Sequence, residues 1–327
     1  MGFEYDVDRV KAVAEKDIHQ VLGEIIGKDF VEYRKRWNEI ISSRQAPEFP
    51  LYILLEQRFK CNLRCPMCVI SYPEKVSFNT DETFMSDEIF MKIMKEASEN
   101  YCPSIAVNST EEPLLNKKIF ERIKIAKEHG FIDLMMNTNA TLLDEEKAEK
   151  ILDSGLTRLL IGFDGHSKEV YEKIRVGADY EKVLANINRF LEIKKKRKAV
   201  LPLVRMSFVI NELNQHEVDD YYNYWKDKVD YIAFQEYIAP PVEAPRVFGS
   251  VITSDKKEYN CEQPRNSLTI RANGDVMPCC SFWGYYLNMG NVQKNTIQEI
   301  WNGTRINAIR KQFQNNNPNE ICRKCLA

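Results

Sequence analysis

Between residues 51 and 235, short apolar runs alternate with amphipathic helical stretches, and this alternation restricts the possible folds of the chain more than any other feature. Such alternation is typical of βαβ units, and therefore of an α/β fold with a parallel sheet. Right-handed helical crossovers make such a sheet curl into a barrel or an open arc, whose ligands lie at the carboxyl ends of the strands. The predicted strands are 51–55, 104–108, 132–136, 158–163, 204–210 and 231–235.

The segments between these strands carry helix start and stop signals. Ser86 is a suitable N-cap for a helix in which Ile89, Ile93 and Ala97 repeat at helical spacing. Gly130 ends the next helical stretch in the same way. The pattern therefore predicts helices as the crossovers between strands.

Three segments are predicted along the chain. Residues 1–50 read as a polar, helical extension, residues 51–240 as the barrel, and residues 241–327 as a smaller C-terminal domain. The stretch 240–260 contains prolines and has no periodicity, which favours a linker or a wrapping loop. The Asn273-Gly274 pair that follows predicts a tight β-hairpin.

The composition excludes some classes of partner. With 46 Lys+Arg against 48 Asp+Glu among 327 residues, the chain has no basic bias, so nucleic acid is not expected. The sequence shows no signal peptide and no apolar run of about 18 residues, so we predict a cytoplasmic protein without a membrane partner. Cytosolic thiols stay reduced, and therefore the clustered members of the nine cysteines are expected to bind metal or to react.

The first cysteine group lies in the stretch KCNLRCPMC and comprises Cys61, Cys65 and Cys68. It begins six residues after the first predicted strand, which places it at the carboxyl rim of the barrel. Three cysteines around a cubane iron–sulfur cluster leave one iron open for a substrate or a cofactor. The alternatives are a zinc site with a distant fourth ligand, or free thiols in the core.

The Cys-x3-Cys-x2-Cys spacing, with Met67 before the last cysteine, resembles that of the radical S-adenosylmethionine (SAM) superfamily. The resemblance implies a TIM-like partial (β/α)6 barrel in which the three cysteines hold a [4Fe–4S] cluster and SAM binds the open iron. It also implies reductive cleavage of SAM to a 5′-deoxyadenosyl radical, which takes hydrogen from a small-molecule substrate. A flavodoxin- or ferredoxin-type protein is the implied electron donor.

Later motifs resemble the same superfamily in order and suggest further cofactor contacts. Glu112 in STEEPLL matches the carboxylate of a Gly-Gly-Glu-Pro segment that accepts hydrogen bonds from the SAM ammonium group. Asn139, with Ala140 in a glycine place, matches a Thr-Asn-Gly turn. Arg175 matches an arginine that contacts SAM, for which a guanidinium suits a carboxylate partner.

One position departs from the superfamily pattern. Gly162 stands where a serine contacts the ribose of SAM, so that contact is lost or supplied elsewhere. Asp164 is a candidate substitute for it, although an Asp-Gly turn explains this residue equally well.

The second cysteine group comprises Cys261, Cys279, Cys322 and Cys325 and would form a closed, four-ligand site. It resembles the twitch half of the SPASM extension of radical SAM enzymes. The resemblance implies one auxiliary [4Fe–4S] cluster, whose expected role is electron transfer. A structural zinc ribbon is the alternative.

Two cysteines lie outside these groups. Cys280 either packs beside the second site or serves as a catalytic hydrogen-atom donor to a substrate radical, as a cysteine does in related epimerases. Cys102 precedes a proline at a strand start and is expected in the core.

The preferred function is dehydrogenation or epimerisation of a sugar or aminocyclitol, as in superfamily members of the 2-deoxy-scyllo-inosamine dehydrogenase type. Modification of a ribosomally made peptide is the first alternative. It is less favoured because the first fifty residues are too short, and lack the hairpin, for a peptide-recognition module. The second alternative is a non-catalytic iron–sulfur or zinc protein.

Overall fold

The barrel and the C-terminal segment share one twisted sheet. The computed structural model describes residues 10–14, 16–242 and 259–326. The strands in this part of the chain are β1 (Val10–Val13), β2 (Tyr52–Leu55), β3 (Ser104–Ala106), β4 (Asp133–Thr138), β5 (Arg158–Gly162), β6 (Leu203–Ile210), β7 (Tyr231–Glu236), β8 (Ser267–Ile270), β9 (Asp275–Met277) and β10 (Gly290–Asn291).

The strand order is β1-β7-β6-β5-β4-β3-β2-β8-β9-β10. Strands β2 to β7 pair in parallel with their neighbours and correspond one to one to the six predicted strands. The predicted α/β class and the TIM-like partial barrel are therefore confirmed.

Helices connect and cover these strands. They are α1 (Ile18–Ile26), α2 (Lys28–Ser43), α3 (Asp87–Glu99), α4 (Ile119–Glu128), α5 (Glu145–Asp153), α6 (Lys168–Ile174), α7 (Tyr180–Lys196), α8 (Val218–Trp225), α9 (Gln263–Asn266), α10 (Ile297–Trp301), α11 (Thr304–Gln314) and α12 (Glu320–Leu326).

The predicted helix signals act as expected. The Ser86 hydroxyl accepts a hydrogen bond from the Ile89 N–H at 3.2 Å and so begins α3. Gly130, with φ of 89°, follows α4 in a left-handed conformation that other residues rarely adopt. No helix in the described part of the chain is long and apolar enough to cross a membrane.

The two faces of the parallel sheet differ in chemistry because side chains alternate along a strand. On β6, Val204, Met206 and Phe208 are buried in the core between the sheet and the outer helices. Arg205 and Ser207 consequently lie on the inner face, where the Arg205 Nε donates to the Ser207 hydroxyl at 2.9 Å. Because the outer face packs against the helices and forms the core, the inner face can carry polar groups.

The N-terminal extension covers the lower end of the barrel, which is the end where the parallel strands begin. Helices α1 and α2 pack their apolar side chains against the first residues of β6 and β7 and the residue before β2. The buried residues of this cluster are Leu22, Phe30, Tyr33, Ile40, Leu51, Leu203 and Tyr231. The prediction of helices is correct for α1 and α2. It is wrong for Val10–Val13, which pair with β7 in an antiparallel arrangement as β1. A four-residue strand at the sheet edge leaves too short a pattern to be recognised in the sequence.

The C-terminal segment continues the barrel sheet. Strand β8 pairs in parallel with β2, so that Tyr52 lies opposite Ser267 and Leu55 opposite Ile270. The predicted hairpin forms between β8 and β9, with Gly274 at φ of 83° in its turn. The predicted linker lies largely outside the described residues, and the predicted segment boundaries stay proposals.

Replacement of Phe30 should destabilise the protein strongly. Phe30 is fully buried between α2 and the lower end of the barrel. We expect Phe30→Ala to lower the free energy of unfolding by about 3–5 kcal/mol, measured by denaturant unfolding. The matched control is Val31→Ala, at the next position but 57% exposed, which should change the stability by less than about 0.5 kcal/mol. Equal effects of the two changes would contradict the packing described.

Candidate functional site

The first cysteine group lies on the loop that follows β2. Its shape is set by backbone hydrogen bonds from the Cys68 N–H to the Cys65 carbonyl at 2.9 Å and from the Ser71 N–H to the Cys68 carbonyl at 3.0 Å. The Leu63 N–H points at the Cys61 sulfur, 3.4 Å away. Backbone N–H groups directed at cysteine sulfur are a typical means of stabilising the thiolates that bind a cluster.

The three thiols interact electrostatically with one another. Burial raises the pKa of Cys68 to about 12, with help from the neighbouring Cys65 and Cys61 because like charges repel. Burial also raises the pKa of Cys61 and of Cys65. A bound cation reverses this preference by removing the protons. Three thiols in one neighbourhood, one buried and two partly buried, therefore fit a metal cluster better than an apolar core.

Glu112 is a buried carboxylate that joins two loops of the rim. Its Oε1 accepts hydrogen bonds from the Thr138 hydroxyl at 2.8 Å and the Leu114 N–H at 3.1 Å, and its Oε2 accepts the Asn139 N–H at 2.8 Å. Burial raises its pKa to about 6, which these hydrogen bonds partly oppose. A carboxylate oxygen has two acceptor positions, so Oε2 retains one for a ligand.

The turn after β4 connects Glu112 to the first cysteine group. The Asn139 amide donates to Asn62 Oδ1 at 3.0 Å and lies 3.6 Å from the Cys61 sulfur. Ala140, in the predicted glycine place, has φ of 57°, which is the left-handed conformation that glycine adopts without strain. The local backbone therefore matches the Thr-Asn-Gly geometry although the glycine is absent.

Arg175, at the end of α6, forms a buried ion pair. Its Nε lies 2.6 Å from Asp164 Oδ2, and Asp164 is fully buried, with Oδ1 accepting the Val209 N–H at 2.8 Å. Burial alone would lower the pKa of Arg175, but Asp164 raises it above its ordinary value. The protein thus occupies both Asp164 oxygens, an arrangement that does not support the predicted ribose contact.

Met67 lies on the same loop and is partly exposed. The structure thus brings Cys61, Cys65, Cys68, Glu112 and Asn139 together at the rim. The roles of these residues toward SAM stay predictions.

The second cysteine group gathers around the hairpin and the end of the chain. Cys279 interacts electrostatically with Cys261 and Cys325, and burial is the main reason that its pKa is raised. The Ser281 hydroxyl lies 3.1 Å from the Cys325 sulfur. Gly284 packs so closely on Cys279 that an added Cβ would lie 2.7 Å from its sulfur.

Helix α12 contributes the remaining pair of thiols. Cys322 and Cys325 are three residues apart, and this spacing places them on one helix face. In the described residues, the cysteine sulfurs form no group of three within 4.8 Å of one another. Tetrahedral zinc with bonds of about 2.3 Å would hold its sulfurs at about 4 Å. The thiols of the described residues therefore do not show the spacing of a tetrahedral zinc site.

Cys280 lies apart from the rim. It is exposed, and it interacts with Cys279 and with Tyr52, the first residue of β2. The antiparallel register of β8 and β9 carries the chain back toward the strand starts after Met277. The structure therefore does not bring Cys280 together with the first cysteine group, and its hydrogen-donor role stays a prediction.

A buried polar network that the sequence analysis missed links the rim to the C-terminal segment. Glu56, directly after β2, lies 2.9 Å from the Arg271 Nε and accepts a hydrogen bond from the Tyr285 hydroxyl. The Tyr285 oxygen is 2.5 Å from the Thr110 hydroxyl. The sequence signal for this network was that a charged residue directly follows each of the strands β2 and β8, with opposite charges at the two positions.

The barrel rim carries three clustered thiols and a buried carboxylate, and the C-terminal segment carries a second thiol group. This combination defines an iron–sulfur protein with an α/β barrel. The radical SAM superfamily matches residues 59–224, just over half of the chain, and the SPASM iron–sulfur cluster-binding domain matches residues 261–326. The chain belongs to the radical SAM superfamily. Its cofactors are accordingly SAM and iron–sulfur clusters, the second of them in the SPASM domain.

Curated relatives include GTP 3′,8-cyclases. The cyclase of Clostridium botulinum strain Hall is 30% identical over 180 residues, which cover 54% of this chain and 52% of that protein. The cyclase of Sulfurovum sp. strain NBC37-1 is 32% identical over 237 residues, 68% of this chain and 69% of that protein. The chain spans about half the length of the Clostridium botulinum relatives that it matches.

Solved structures share the fold. BtrN in complex with AdoMet and 2-DOIA is 17% identical with a TM-score of 0.51, covering 81% of this chain and 87% of that one. Native anSMEcpe with bound AdoMet is 19% identical with a TM-score of 0.61, at 84% and 87% coverage. SuiB of Streptococcus suis bound to S-adenosylmethionine is 15% identical with a TM-score of 0.60, at 86% and 72% coverage.

Loss of the Glu112 charge should weaken SAM binding. Because a hydrogen bond to a charged group contributes about 1.5–3 kcal/mol, we expect Glu112→Gln to raise the dissociation constant of SAM about 10- to 100-fold. In the unsubstituted protein the affinity should fall as pH drops through about 6, where Glu112 becomes protonated. Calorimetry on the reconstituted protein measures both effects. Glu121→Gln, an exposed position on α4, is the control, and a pH-independent affinity would contradict the role of Glu112.

An added methyl group at Gly284 should remove the auxiliary cluster. The new Cβ would meet the Cys279 sulfur at 2.7 Å, so the thiol must move. We expect Gly284→Ala to lose about half of the bound iron while the rim cluster and its SAM binding persist. Iron analysis and electron paramagnetic resonance (EPR) measure this. Cys102→Ala, a buried cysteine outside both groups, should retain all the iron. Full iron content in Gly284→Ala would refute the assignment.

Proposed function

We propose that the chain is a radical SAM oxidoreductase that dehydrogenates a small polar substrate, such as a sugar or an aminocyclitol. The rim cluster, held by Cys61, Cys65 and Cys68, would supply the electron that converts SAM into a 5′-deoxyadenosyl radical. The auxiliary cluster would accept the electron that the oxidised substrate must give up. Epimerisation, which needs a hydrogen donor at the rim, has less support because Cys280 lies elsewhere.

The observation that carries this proposal is a single apolar cluster that contacts two thiols of the first cysteine group and includes residues of the segment that follows β8. Phe59, Met277 and Tyr285 form its buried core with Val69 and Ile70, and Cys61 and Cys68 pack against it. Tyr285 also follows Gly284, the residue that touches the Cys279 sulfur.

Aromatic rings pack against one another in this apolar cluster. The ring centroids of Phe78 and Tyr285 are 4.5 Å apart, and those of Phe59 and Tyr285 are 6.1 Å apart. No water layer separates buried side chains at such spacings. This packing of the rim loop against the segment after β9 supports electron transfer rather than a purely structural role for the second cluster.

The inner face of the barrel supports a polar substrate. Asn137, Arg205 and Gln235 lie on that face, since each follows a residue that is buried in the outer core, and all three are partly accessible. Amide and guanidinium groups there would bind hydroxyl or anionic groups of a small molecule.

The peptide-modifying alternative has less support in the described residues. Helices α1 and α2 pack against strand starts as part of the barrel. The cyclase relatives share only part of their length with this chain, and so their reaction is not carried over.

Two cysteine replacements test the proposal. Anaerobically reconstituted protein with dithionite should release 5′-deoxyadenosine from SAM. Cys65→Ala should abolish this release, because the rim cluster loses a ligand. Cys322→Ala should preserve it but stop the oxidation of any sugar or aminocyclitol that the unsubstituted enzyme converts, followed by mass spectrometry as loss of two hydrogens. Full oxidative turnover in Cys322→Ala would overturn the electron-acceptor role.

A further inference from the structure

A chain of hydrogen bonds runs from the rim to the buried ion pair of Glu56 and Arg271. We propose that this chain, which leads from Thr110 through Tyr285 to Glu56, accepts the proton that a substrate hydroxyl group loses on oxidation. Thr110 is the residue that touches the hydroxyl group. The inference rests on the proposed function and deepens it, because it requires a substrate that is oxidised at a carbon bearing a hydroxyl group.

The proposed reaction leaves one proton without an acceptor. Oxidation of an alcohol to a ketone removes a hydrogen atom from the carbon, an electron, and the hydroxyl proton. In the proposed function the hydrogen atom goes to the 5′-deoxyadenosyl radical and the electron to the auxiliary cluster. A positioned side chain that takes such a proton typically contributes roughly 100- to 10,000-fold to the rate.

Both residues of the ion pair face the inside of the barrel. Ile53 and Leu55 are buried in the outer core, so Glu56 lies on the inner face at the carboxyl end of β2. Arg271 follows Ile270 of β8 in the same way. Glu56 is 1% exposed, and its Oε1 lies 2.9 Å from the Arg271 Nε. The neighbouring positive charge favours the ionised form of this carboxylate, so it can accept a proton.

The direction of the chain follows from the number of protons available. The Tyr285 hydroxyl donates to Glu56 Oε2, and a phenol has only one proton to donate. Burial raises the pKa of Tyr285 well above its ordinary value, so the phenol keeps this proton. The contact of 2.5 Å between the hydroxyl oxygens of Tyr285 and Thr110 therefore requires Thr110 to be the donor.

Thr110 consequently offers only acceptor capacity to the rim. Its one hydroxyl proton is used on Tyr285, whereas its oxygen retains a lone pair for another donor. Thr110 is partly exposed and lies on the loop after β3 that also carries Glu112. A group that binds this oxygen must bring a proton of its own, which the hydroxyl of an alcohol has and the carbonyl of a ketone lacks. The site therefore favours the substrate over its oxidised product.

The transfer shifts one proton at each step of the chain. The O–H bond of the substrate breaks as its proton joins the Thr110 oxygen, while Thr110 gives its own proton to Tyr285 and Tyr285 gives its proton to Glu56. The electron leaves the same carbon, and the C–O single bond becomes a carbonyl. Burial raises the pKa of Glu56 above its ordinary value, which favours its protonation.

The first test measures how tightly hydrogen abstraction is coupled to oxidation. Anaerobically reconstituted enzyme receives SAM, dithionite and 2-deoxy-scyllo-inosamine, and mass spectrometry gives the amounts of 5′-deoxyadenosine and of oxidised product. We expect Thr110→Val and Tyr285→Phe to raise the ratio of 5′-deoxyadenosine to product at least tenfold, because the carbon radical forms but its proton has no acceptor. Thr110→Ser, which restores the hydroxyl, should recover most of the coupling.

Tyr286→Phe is the matched control. Its hydroxyl donates to the Pro241 carbonyl at 3.3 Å, outside the chain, so its loss should leave the ratio unchanged. General structural damage would lower both amounts together. An unchanged ratio in Tyr285→Phe would overturn the proposal. Calorimetry that shows more than tenfold weaker SAM binding in Thr110→Val would assign the Thr110 oxygen to the SAM ammonium group, and would also overturn it.

A second measurement needs neither substrate nor SAM. The infrared difference spectrum between the unsubstituted protein and Glu56→Gln should show the loss of carboxylate bands, whereas loss of a protonated carboxyl band would refute the inference. If Glu56→Gln does not fold, Tyr285→Phe replaces it, and the absence of any shift in a carboxylate band is then the refuting result. Failure of the unsubstituted enzyme to oxidise the aminocyclitol would instead count against the proposed function, and the infrared spectra would decide this inference alone.

Discussion

The backbone hydrogen bonds between β2 and β8 are the interaction on which the site geometry depends. They join two strands more than two hundred residues apart in sequence into one sheet. Each strand is followed directly by a charged residue, and these residues, Glu56 and Arg271, meet in a buried ion pair. Tyr285 then completes the contact and lies between the cysteine groups. Without this pairing, the two sets of thiols would belong to separate bodies and the apolar connection between them would not exist.

Several loops form the rim, and side chains that bind more than one loop keep these loops together. Glu112 is the example, since its two oxygens bind the backbone or side chains of two loops in a dry environment. A carboxylate so placed is costly to bury unless each acceptor position has a donor. The Glu112 oxygens therefore hold the two loops together, and one acceptor position of Oε2 stays available.

Much of the architecture was predictable from the sequence, because buried parallel strands are nearly continuous apolar runs. The six barrel strands, the Ser86 cap and the Asn273-Gly274 hairpin agree with the structure to within a few residues. The first strand was not predictable, since its pairing with β7 depends on a partner far along the chain. Spacing also indicated both cysteine groups, because metal ligands must lie close together.

Contacts between side chains on different elements were the part that the sequence could not supply. Gly162 is one residue in a strand, and nothing in its neighbours shows that a guanidinium occupies the place of its missing side chain. The partner of Asp164 likewise depends on how α6 ends relative to the cysteine loop. Such pairings depend on the side-chain rotamers and on how the helices and strands are oriented to one another. Local sequence patterns do not encode either of these.

The late position of β8 in the chain has a consequence for biosynthesis. The rim thiols leave the ribosome well before the hairpin and α12, which lie roughly two hundred residues or more further along the chain. Contacts between distant segments form slowly, because the entropic cost of closing a long loop must be overcome before the contacts can stabilise the fold. We therefore expect the edge of β2 to remain unpaired in the nascent barrel until β8 is made. We also expect the two metal centres to be assembled at different times.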